Sequence, residues 1–216
     1  MLGDRAFRFW QRFAKALCTA FFGLRVEGAA NVPLNGPLLL ACNHISELDP
    51  PVLGCAVPRP IYFLAKKELF RGSFWRSFFE SLHAIPVDRG GMDREALRSA
   101  SDLLTAGNAI VIFPEGTRST DGGMLPPKPG LGFLATSTRT AILPAHISGT
   151  DSIKAAVLRR PGFRVRFGEV IPAPDSAPGS GGSKRENYSR VSSQAMEAIA
   201  ALGDPEGRRP ARERKG

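Results

Sequence analysis

The chain has few residues of the kinds that build disulfide frameworks and metal sites. Its 216 residues include three cysteines and three histidines. These are Cys18, Cys42, Cys55, His44, His83 and His146. An odd number of cysteines without a pairing pattern argues against a disulfide framework and favours a reducing compartment. His-Glu-x-x-His and Cys-x-x-Cys spacings are absent, which leaves little basis for a metal site. We therefore expect no metal and no resident cofactor.

Motifs of several common enzyme classes are also missing. There is no Gly-x-Ser-x-Gly stretch to present a serine nucleophile, and no Gly-x4-Gly-Lys-Ser/Thr loop to bind nucleotide phosphates. Residues 130–135 fit a relaxed dinucleotide fingerprint, but they follow Pro126-Pro127-Lys128-Pro129 rather than a strand. Because that fingerprint needs a strand before its glycines, we discount it.

A long apolar run is missing as well. The longest uncharged run in the N-terminal region, Ala16 to Leu24, is nine residues, whereas a membrane-spanning helix needs roughly 20. Apolar side chains instead recur there at three- and four-residue steps, with basic residues between them. The apolar set is Phe7, Trp10, Phe13, Leu17, Phe21 and Leu24, and the basic set is Arg5, Arg8, Arg12 and Lys15. The pattern predicts an amphipathic membrane-interface helix over residues 1–26; a helix packed on the domain and a signal peptide are the alternatives.

Strand-like and helix-like segments alternate through the rest of the chain. The predicted strands are 38–41, 61–64, 84–87, 109–113, 141–147 and 163–167, and the predicted helices include 93–106 and 185–202. An aromatic stretch at 69–82 has helical spacing, and it favours core packing over an acyl-chain groove or a membrane face. Residues 172–182 read as a flexible connection. We predict one α/β domain over 27–203, with helices around a mixed central sheet, and a basic tail over 204–216, expected to be disordered.

The most informative stretch is Asn43-His44-Ile45-Ser46-Glu47-Leu48-Asp49-Pro50, which follows a buried strand. A histidine with a nearby carboxylate can act as a general base, since the carboxylate fixes the tautomer and supports the charged ring. On one continuous helix, positions i and i+5 point roughly 140° apart, so the pair meets only if the chain turns. Asp49 precedes two prolines, which favours a helix entrance at this point. His44 would then lie in the strand-to-helix loop at the mouth of the sheet.

The same spacing occurs a second time, between His83 and Asp88. His83 lies at the end of the aromatic helical segment, where a packed helix-end histidine is the simpler interpretation. The spacing alone is therefore a weak signal.

A second polar segment, Phe113-Pro114-Glu115-Gly116-Thr117-Arg118-Ser119, also follows a predicted strand. Gly116 allows a ligand to approach the backbone closely, and Arg118 offers a planar fork that suits phosphate. Glu115 could hold that arginine or contact hydroxyl groups of a ligand. Together with His44 and Asp49, this segment predicts a site that combines a base with an anion-binding end.

These blocks resemble the glycerolipid acyltransferases of the 1-acylglycerol-3-phosphate acyltransferase (PlsC-like) type. The Asn-His-x4-Asp block matches at Asn43, His44 and Asp49, and the Phe-Pro-Glu-Gly-Thr-Arg-Ser block matches at every position of 113–119. Looser matches are 67–89, which ends in Val-Asp-Arg, Lys128-Pro129-Gly130, and the apolar-Pro block at 142–145. Order and spacing agree over about residues 35–150.

The resemblance implies a glycerol-3-phosphate acyltransferase-like fold and an acyl transfer. His44 would deprotonate a lysophospholipid hydroxyl, with Asp49 orienting the ring, and the hydroxyl would attack an acyl thioester. Substrate binding would involve Glu115, Gly116, Thr117, Arg118, Arg89 and Lys128. The expected acceptor is 1-acyl-sn-glycerol 3-phosphate; another lysolipid acceptor, or a noncatalytic membrane lipid-binding protein, is the alternative.

The formal net charge of +9 calls for an anionic partner. We see no nucleic-acid-binding module, so nucleic acid is not expected. An anionic membrane, a phosphorylated lipid, acyl-CoA and an acidic acyl carrier protein would each fit the charge. We expect a peripheral or monotopic protein on the cytoplasmic face of the cell membrane.

Overall fold

The computed structural model describes residues 2–81, 83–87, 94–119, 123–153, 157–158, 162–174 and 183–203. Its strands are β1 (Arg25–Glu27), β2 (Leu38–Cys42), β3 (Tyr62–Lys66), β4 (Ala84–Val87), β5 (Ala109–Ile112), β6 (Ile142–Ser148) and β7 (Arg164–Phe167). Its α-helices are α1 (Leu2–Phe22), α2 (Asp49–Ala56), α3 (Ser73–Ser81), α4 (Arg94–Thr105), α5 (Gly130–Thr138) and α6 (Lys184–Gly203). Short 3-10 turns lie at Ala29–Asn31 and Lys67–Phe70.

The strands form one mixed sheet of seven, in the order β1-β7-β6-β2-β5-β3-β4. Neighbours are parallel except for β6 and β7, which run antiparallel. Strand β2 lies near the middle, between β6 and β5. The carboxyl ends of these three parallel strands therefore meet at one edge of the sheet, which is where α/β proteins commonly bind ligands.

Helices cover both faces of the sheet, and the burial of β2 shows how. Leu38, Leu40 and Cys42 point into one apolar cluster, together with residues of α2. Leu39 and Ala41 point into a second cluster, formed with α4, α5 and α6. Because both faces are covered, the strand is apolar throughout rather than alternating, as expected for a central parallel strand.

The glycine-rich stretch at 130–135 has a packing role. It forms the start of α5, where a β-carbon at Gly132 would lie 2.0 Å from the backbone oxygen of Tyr188 in α6. The Gly132 N–H also donates to Ser192 Oγ at 3.0 Å. The glycine thus lets two helices touch backbone to backbone, which accounts for a pattern that otherwise resembles a dinucleotide fingerprint.

Helix α1 docks on α2 and ends at the carboxyl edge of the central strands. The Gln11 side chain donates to the carbonyl oxygens of Gly54 and Val57, both at 2.7 Å. At the other end of α1, Phe22 stacks on Phe163 with ring centroids 4.9 Å apart. No helix in the described part of the chain is long and apolar enough to cross a membrane.

The α/β architecture with a mixed sheet and a preceding N-terminal helix is confirmed. The other predicted strands and helices are present with ends shifted by one or two residues, whereas the helix predicted over 1–26 ends at Phe22, and residues 25–26 belong to β1 instead. Strand β1 and helix α5 were not predicted. The aromatic stretch at 69–82 is buried in one part and exposed in another. Phe70 is buried and packs near Phe79, while Phe74 is 71% exposed. Arg89, Asp88, the tail at 204–216 and residues 175–182 of the predicted connection lie outside the described residues.

Candidate active site

Three adjacent strands deliver the candidate site to the same edge of the sheet. His44 follows β2, the segment 113–119 follows β5, and Thr150 follows β6. The register pairs Ala41 with Ile112 and Cys42 with Ala145, so β2 and β5 end within one residue of each other, and β6 runs three residues further to Ser148. Side chains far apart in sequence are thereby brought together where the backbone leaves the sheet.

The His44 imidazole and the Asp49 carboxylate are in direct contact. His44 Nδ1 lies 2.8 Å from Asp49 Oδ2, and Asp49 is completely buried. The chain turns between them through a loop, and Asp49 begins α2 just before Pro50 and Pro51. This is the turn that the i to i+5 spacing required.

Asp49 is held by four hydrogen bonds. Its Oδ2 accepts the Ile45 N–H at 2.7 Å and the Ser46 N–H at 2.8 Å, besides the His44 contact. Its Oδ1 accepts the Thr150 hydroxyl at 2.5 Å. Because the two backbone N–H groups can only donate, Oδ2 acts as an acceptor, and the tautomer of His44 with its proton on Nδ1 fits this contact. The neutral ring therefore keeps its lone pair on Nε2, as a general base needs.

The His44 ring is fixed on its flat side as well as at Nδ1. It stacks on Phe113, with ring centroids 4.0 Å apart and an angle of 18° between the planes. The side chain remains 13% exposed. A ring held by a stack and a buried carboxylate has little rotational freedom, so Nε2 is preorganised for a partner that arrives from solvent.

The segment after β5 forms hydrogen bonds with both backbone polar groups of His44. The His44 N–H donates to Glu115 Oε1 at 2.9 Å, and the His44 carbonyl accepts the Ser119 N–H at 2.9 Å. Glu115 Oε2 also accepts the Leu125 N–H at 2.9 Å, and Glu115 is only 2% exposed. The Glu115 carboxylate is thus engaged with backbone amides and ties three segments together.

Asn43 extends this anchoring to β6. Its amide group donates to the Ile147 carbonyl at 3.0 Å and accepts the Ile147 N–H at 2.8 Å. The side chain is 3% exposed and mimics a backbone ladder between the two strands. Asn43 therefore fixes the point at which the chain leaves β2 for His44.

Two basic side chains, Lys128 and Arg118, lie in or next to the segment 113–119, and we call them the basic cluster. Gly116 has a φ of +67°, and a β-carbon there would lie 2.8 Å from Lys128 Nζ, so the lysine side chain lies directly over the glycine. The Lys128 N–H donates to the Pro114 carbonyl at 2.8 Å. Arg118 is 39% exposed and pairs with Glu47 at 3.2 Å, rather than with Glu115. Thr117 is exposed next to it.

Cys42 is not suited to act as a nucleophile. It is fully buried, and this burial raises the pKa of its thiol well above the usual value, with the negative charges of Asp49 and Glu115 adding to the effect. Within the ranges that the structure describes, no group of three or more His, Cys, Asp or Glu side chains is arranged to hold a metal ion.

His83 lies in a different place. It precedes β4, with a φ of +58°, and its ring packs against Tyr62 at a centroid distance of 4.9 Å. Since β4 runs parallel to the central strands, its start lies at the opposite edge of the sheet from His44. His83 and His44 are therefore not parts of one site.

Thr150 is the site residue that sequence reasoning missed. It is 1% exposed and lies 101 positions after the carboxylate that it contacts. Its only sequence signal is its place just after the strand that contains the apolar-Pro block. That β6 neighbours β2 could not be read from local pattern.

The chain is similar in sequence to proteins named as acyltransferases. The chain is 29% identical over 172 residues to the 1-acyl-sn-glycerol-3-phosphate acyltransferase of Bacillus subtilis (strain 168), covering 79% of this chain and 85% of that protein. It is 31% identical over 147 residues to the protein of the same name from Cocos nucifera, covering 65% of this chain and 44% of that one.

The fold also matches a solved structure. The crystal structure of the 1-acyl-sn-glycerophosphate acyltransferase PlsC from Thermotoga maritima superposes with a TM-score of 0.70 at 22% identity, covering 96% of this chain and 84% of that chain. The sequence model of the family described as Acyltransferase matches residues 23–148, which include His44, Asp49 and the segment 113–119. The chain belongs to this acyltransferase family.

Proposed function

We propose that the protein transfers a fatty acyl group from an acyl thioester to the free hydroxyl of 1-acyl-sn-glycerol 3-phosphate, giving phosphatidate. The observation that carries the proposal is the contact between His44 Nδ1 and the buried Asp49 Oδ2 at 2.8 Å, beside a basic cluster at the same sheet edge. The similarity to proteins named as 1-acyl-sn-glycerol-3-phosphate acyltransferases supports the choice of acceptor.

The chemistry follows from the free ring nitrogen. His44 Nε2 takes the proton of the acceptor hydroxyl while the oxygen attacks the thioester carbonyl carbon. The resulting imidazolium is stabilised by the Asp49 carboxylate, whose charge is held in place by Ile45, Ser46 and Thr150. When the tetrahedral intermediate collapses, the carbon–sulfur bond breaks, and the proton on His44 passes to the leaving thiolate. No acyl-enzyme and no metal are needed.

The phosphate end of the acceptor would contact the basic cluster. Arg118 can turn its guanidinium from Glu47 to a phosphate because the pair lies at the surface, where ion pairs are weak. Lys128 lies over Gly116 and contributes a second positive charge. Glu115, bonded to backbone amides, would support this end by holding the loop in shape.

The acyl donor is either acyl-CoA or acyl carrier protein, both of which are anionic and suit a chain of net charge +9. In this proposal the thioester is a co-substrate, and no resident cofactor takes part.

We also propose that the protein works on the surface of an anionic membrane, at the cytoplasmic face. Helix α1 leaves an apolar stripe at four-residue steps in solvent: Phe13 is 49% exposed, Leu17 40% and Phe21 61%. Arg12 and Lys15 are exposed beside it. The helix ends at the sheet edge that bears His44, so a bilayer on this stripe would lie near the site.

The acceptor is tested by following thiol release from palmitoyl-CoA and from an acyl carrier thioester with a panel of lysolipids in liposomes. The panel pairs lysophosphatidate with lysolipids that lack a terminal phosphate monoester. We expect acceptor-dependent release with lysophosphatidate from at least one donor, and phosphatidate as the product by mass spectrometry. Equal or faster release with a phosphodiester lysolipid would contradict the proposed acceptor.

The membrane surface is tested by co-sedimentation with vesicles that contain anionic lipid. Changing Phe13, Leu17 and Phe21 together to serine should reduce binding at least tenfold, because about 1.5–3 kcal/mol of burial is lost for each fully buried side chain. Val170→Ser is a matched control, since Val170 is an exposed apolar residue past β7, at the opposite edge of the sheet. Equal binding of the triple variant and the wild type would contradict the membrane role of α1.

A further inference from the structure

The interface between α1 and α2 contains a pair of thiols. Cys18 Sγ in α1 and Cys55 Sγ in α2 lie 4.0 Å apart, although the two residues are 37 positions apart in sequence. Both side chains are half-buried at the margin of the apolar cluster, whereas Cys42 is fully buried. Two thiols in contact and within reach of solvent form a chemically distinct feature that the acyl transfer does not use.

The geometry around the pair is fixed by other contacts. Gln11, which lies two helical turns before Cys18 on the same face of α1, binds the carbonyl oxygens of Gly54 and Val57 on either side of Cys55. The helices therefore hold the two sulfur atoms next to each other. Forming a disulfide brings the two sulfur atoms from 4.0 Å to about 2.05 Å apart.

The two thiols differ in acidity. The hydrogen bond between them lowers the pKa of Cys18 from 9.0 to about 7, because it stabilises the thiolate more than partial burial destabilises it. The same hydrogen bond raises the pKa of Cys55, with burial adding to the effect, so Cys55 keeps its proton. The positive charge of Lys15 opposes part of this rise in the pKa of Cys55. This arrangement provides a thiolate and a neighbouring thiol, as in thiols that react with oxidants.

We propose that Cys18 and Cys55 are an oxidation site that forms a reversible disulfide and straps α1 to α2. The Cys18 thiolate attacks a peroxide, breaking its O–O bond to give a sulfenic acid and hydroxide. The Cys55 sulfur then attacks the sulfenic sulfur, and the S–O bond breaks to release water. The net change is two thiols and one hydrogen peroxide to one disulfide and two waters. A dithiol reductant reverses it by exchange.

The bond joins the N-terminal helix to the helix whose first residue is Asp49. Its expected consequence is that α1 stays docked under conditions that would otherwise detach it, with the apolar stripe of Phe13, Leu17 and Phe21 still outward. A bond that closes a loop of this length stabilises mainly by restricting the unfolded chain.

The test treats the full chain with a small molar excess of hydrogen peroxide, followed by denaturing alkylation and peptide mapping. We expect two of the three thiols to disappear together, with Cys18 and Cys55 peptides joined, Cys42 still alkylated and dithiothreitol restoring all three. Cys18→Ser and Cys55→Ser should each abolish the crosslink, whereas Cys42→Ala should still form it. No joined peptide, a bond to Cys42, or only dimers joined through Cys18 would overturn the proposal.

The stabilising effect of the disulfide is tested separately, by measuring the melting temperature. The oxidised wild type should melt roughly 5 °C or more above its reduced form, and the difference should vanish in Cys55→Ser. A joined peptide without any rise in melting temperature would overturn the strap. Neither experiment uses an acyl donor or acceptor, so both outcomes are independent of the proposed acyl transfer.

Discussion

Three segments of this chain carry a histidine five positions before an aspartate, at His44, His83 and His146, and the fold treats the first two in opposite ways. His44 leaves the carboxyl end of β2 and meets Asp49 at 2.8 Å, whereas His83 enters the amino end of β4 and packs on Tyr62. Spacing alone therefore does not make a dyad. The difference lies in which end of a parallel strand the histidine occupies: the chain after β2 turns back and brings Asp49 to the His44 ring, whereas the residues after His83 form the extended strand β4.

Neutralising the carboxylate of Asp49 should have a large effect on catalysis. Asp49→Asn keeps the side-chain shape but replaces the acceptor of three N–H donors and a hydroxyl with an amide, so it favours the wrong tautomer of His44. We expect kcat for acyl transfer to fall by about 10²- to 10⁴-fold. Asp102→Asn, at an exposed carboxylate of α4, should change it less than twofold. Circular dichroism checks that both variants fold; a folded Asp49→Asn enzyme with wild-type kcat would refute the dyad.

Thr150 supports the Asp49 carboxylate from a different strand and is not part of the His-x4-Asp motif. Thr150→Val removes the hydroxyl that donates to Asp49 Oδ1 and leaves that buried atom unsatisfied. We expect a loss of about 1–3 kcal/mol in the free energy of unfolding. Since Thr150 positions the carboxylate and does not contact substrate, kcat should fall roughly tenfold while the acceptor KM stays unchanged, a ratio worth about 1.4 kcal/mol.

Thr150→Ser is the matched control because it keeps the hydroxyl. It should restore most of kcat, measured by thiol release. If serine and valine impair the enzyme equally, the hydroxyl does not act through Asp49.

A smaller effect is expected at the anion end. Arg118→Ala should raise the lysophosphatidate KM roughly tenfold, as one exposed charge-assisted contact is lost, with little change in kcat. Glu47→Ala removes the arginine's partner in the free enzyme and should leave KM unchanged or lower it slightly. Steady-state kinetics in mixed micelles measure both. Unchanged kinetics in Arg118→Ala would remove it from the phosphate site.

The third histidine, His146, is partly buried, and its burial lowers its pKa. In the part of the chain that the structure describes, His146 Nδ1 has no hydrogen-bond partner, and the ring lies against Gly203 at the end of α6. Burial lowers the pKa of His146 from 6.5 to about 4, with the charge of Arg166 adding to the effect. Between these values the unfolded chain binds a proton that the folded chain does not.

Stability should therefore fall as the pH drops from about 6.5 to about 4, by up to about 3 kcal/mol from this group. Urea unfolding of the wild type and of His146→Gln at pH 7, 5 and 4 measures the difference. The variant should lose less stability over this interval. Parallel losses in the two proteins would assign the acid sensitivity to other groups.

Local pattern predicted much of this molecule. The buried run 38–41, the prolines after Asp49 and the polar segment after 109–113 were enough to place His44, Asp49 and Arg118 at one edge of a sheet. What pattern could not supply is strand order. The contact of Thr150 with Asp49 and the ladder between Asn43 and Ile147 exist only because β6 neighbours β2, which no local periodicity reveals.

Roles within the site were also beyond local pattern. Glu115 looked like a partner for Arg118, but it binds the N–H groups of His44 and Leu125 instead. The three-residue strand β1 is too short to show alternation, and α5 begins at glycines whose close packing on Tyr188 depends on a helix more than fifty residues later.

The role of His44 as the base is tested by changing His44 and His83 separately to alanine and measuring acyl-thiol release with lysophosphatidate in liposomes. His44 contacts the buried Asp49 at the carboxyl end of β2, whereas His83 lies at the opposite edge of the sheet. His44→Ala should therefore reduce turnover to the limit of detection, and His83→Ala should retain most of it. A His44→Ala protein that folds and turns over at the wild-type rate, or a His83→Ala protein that folds but is inactive, would contradict the assignment of His44 as the base.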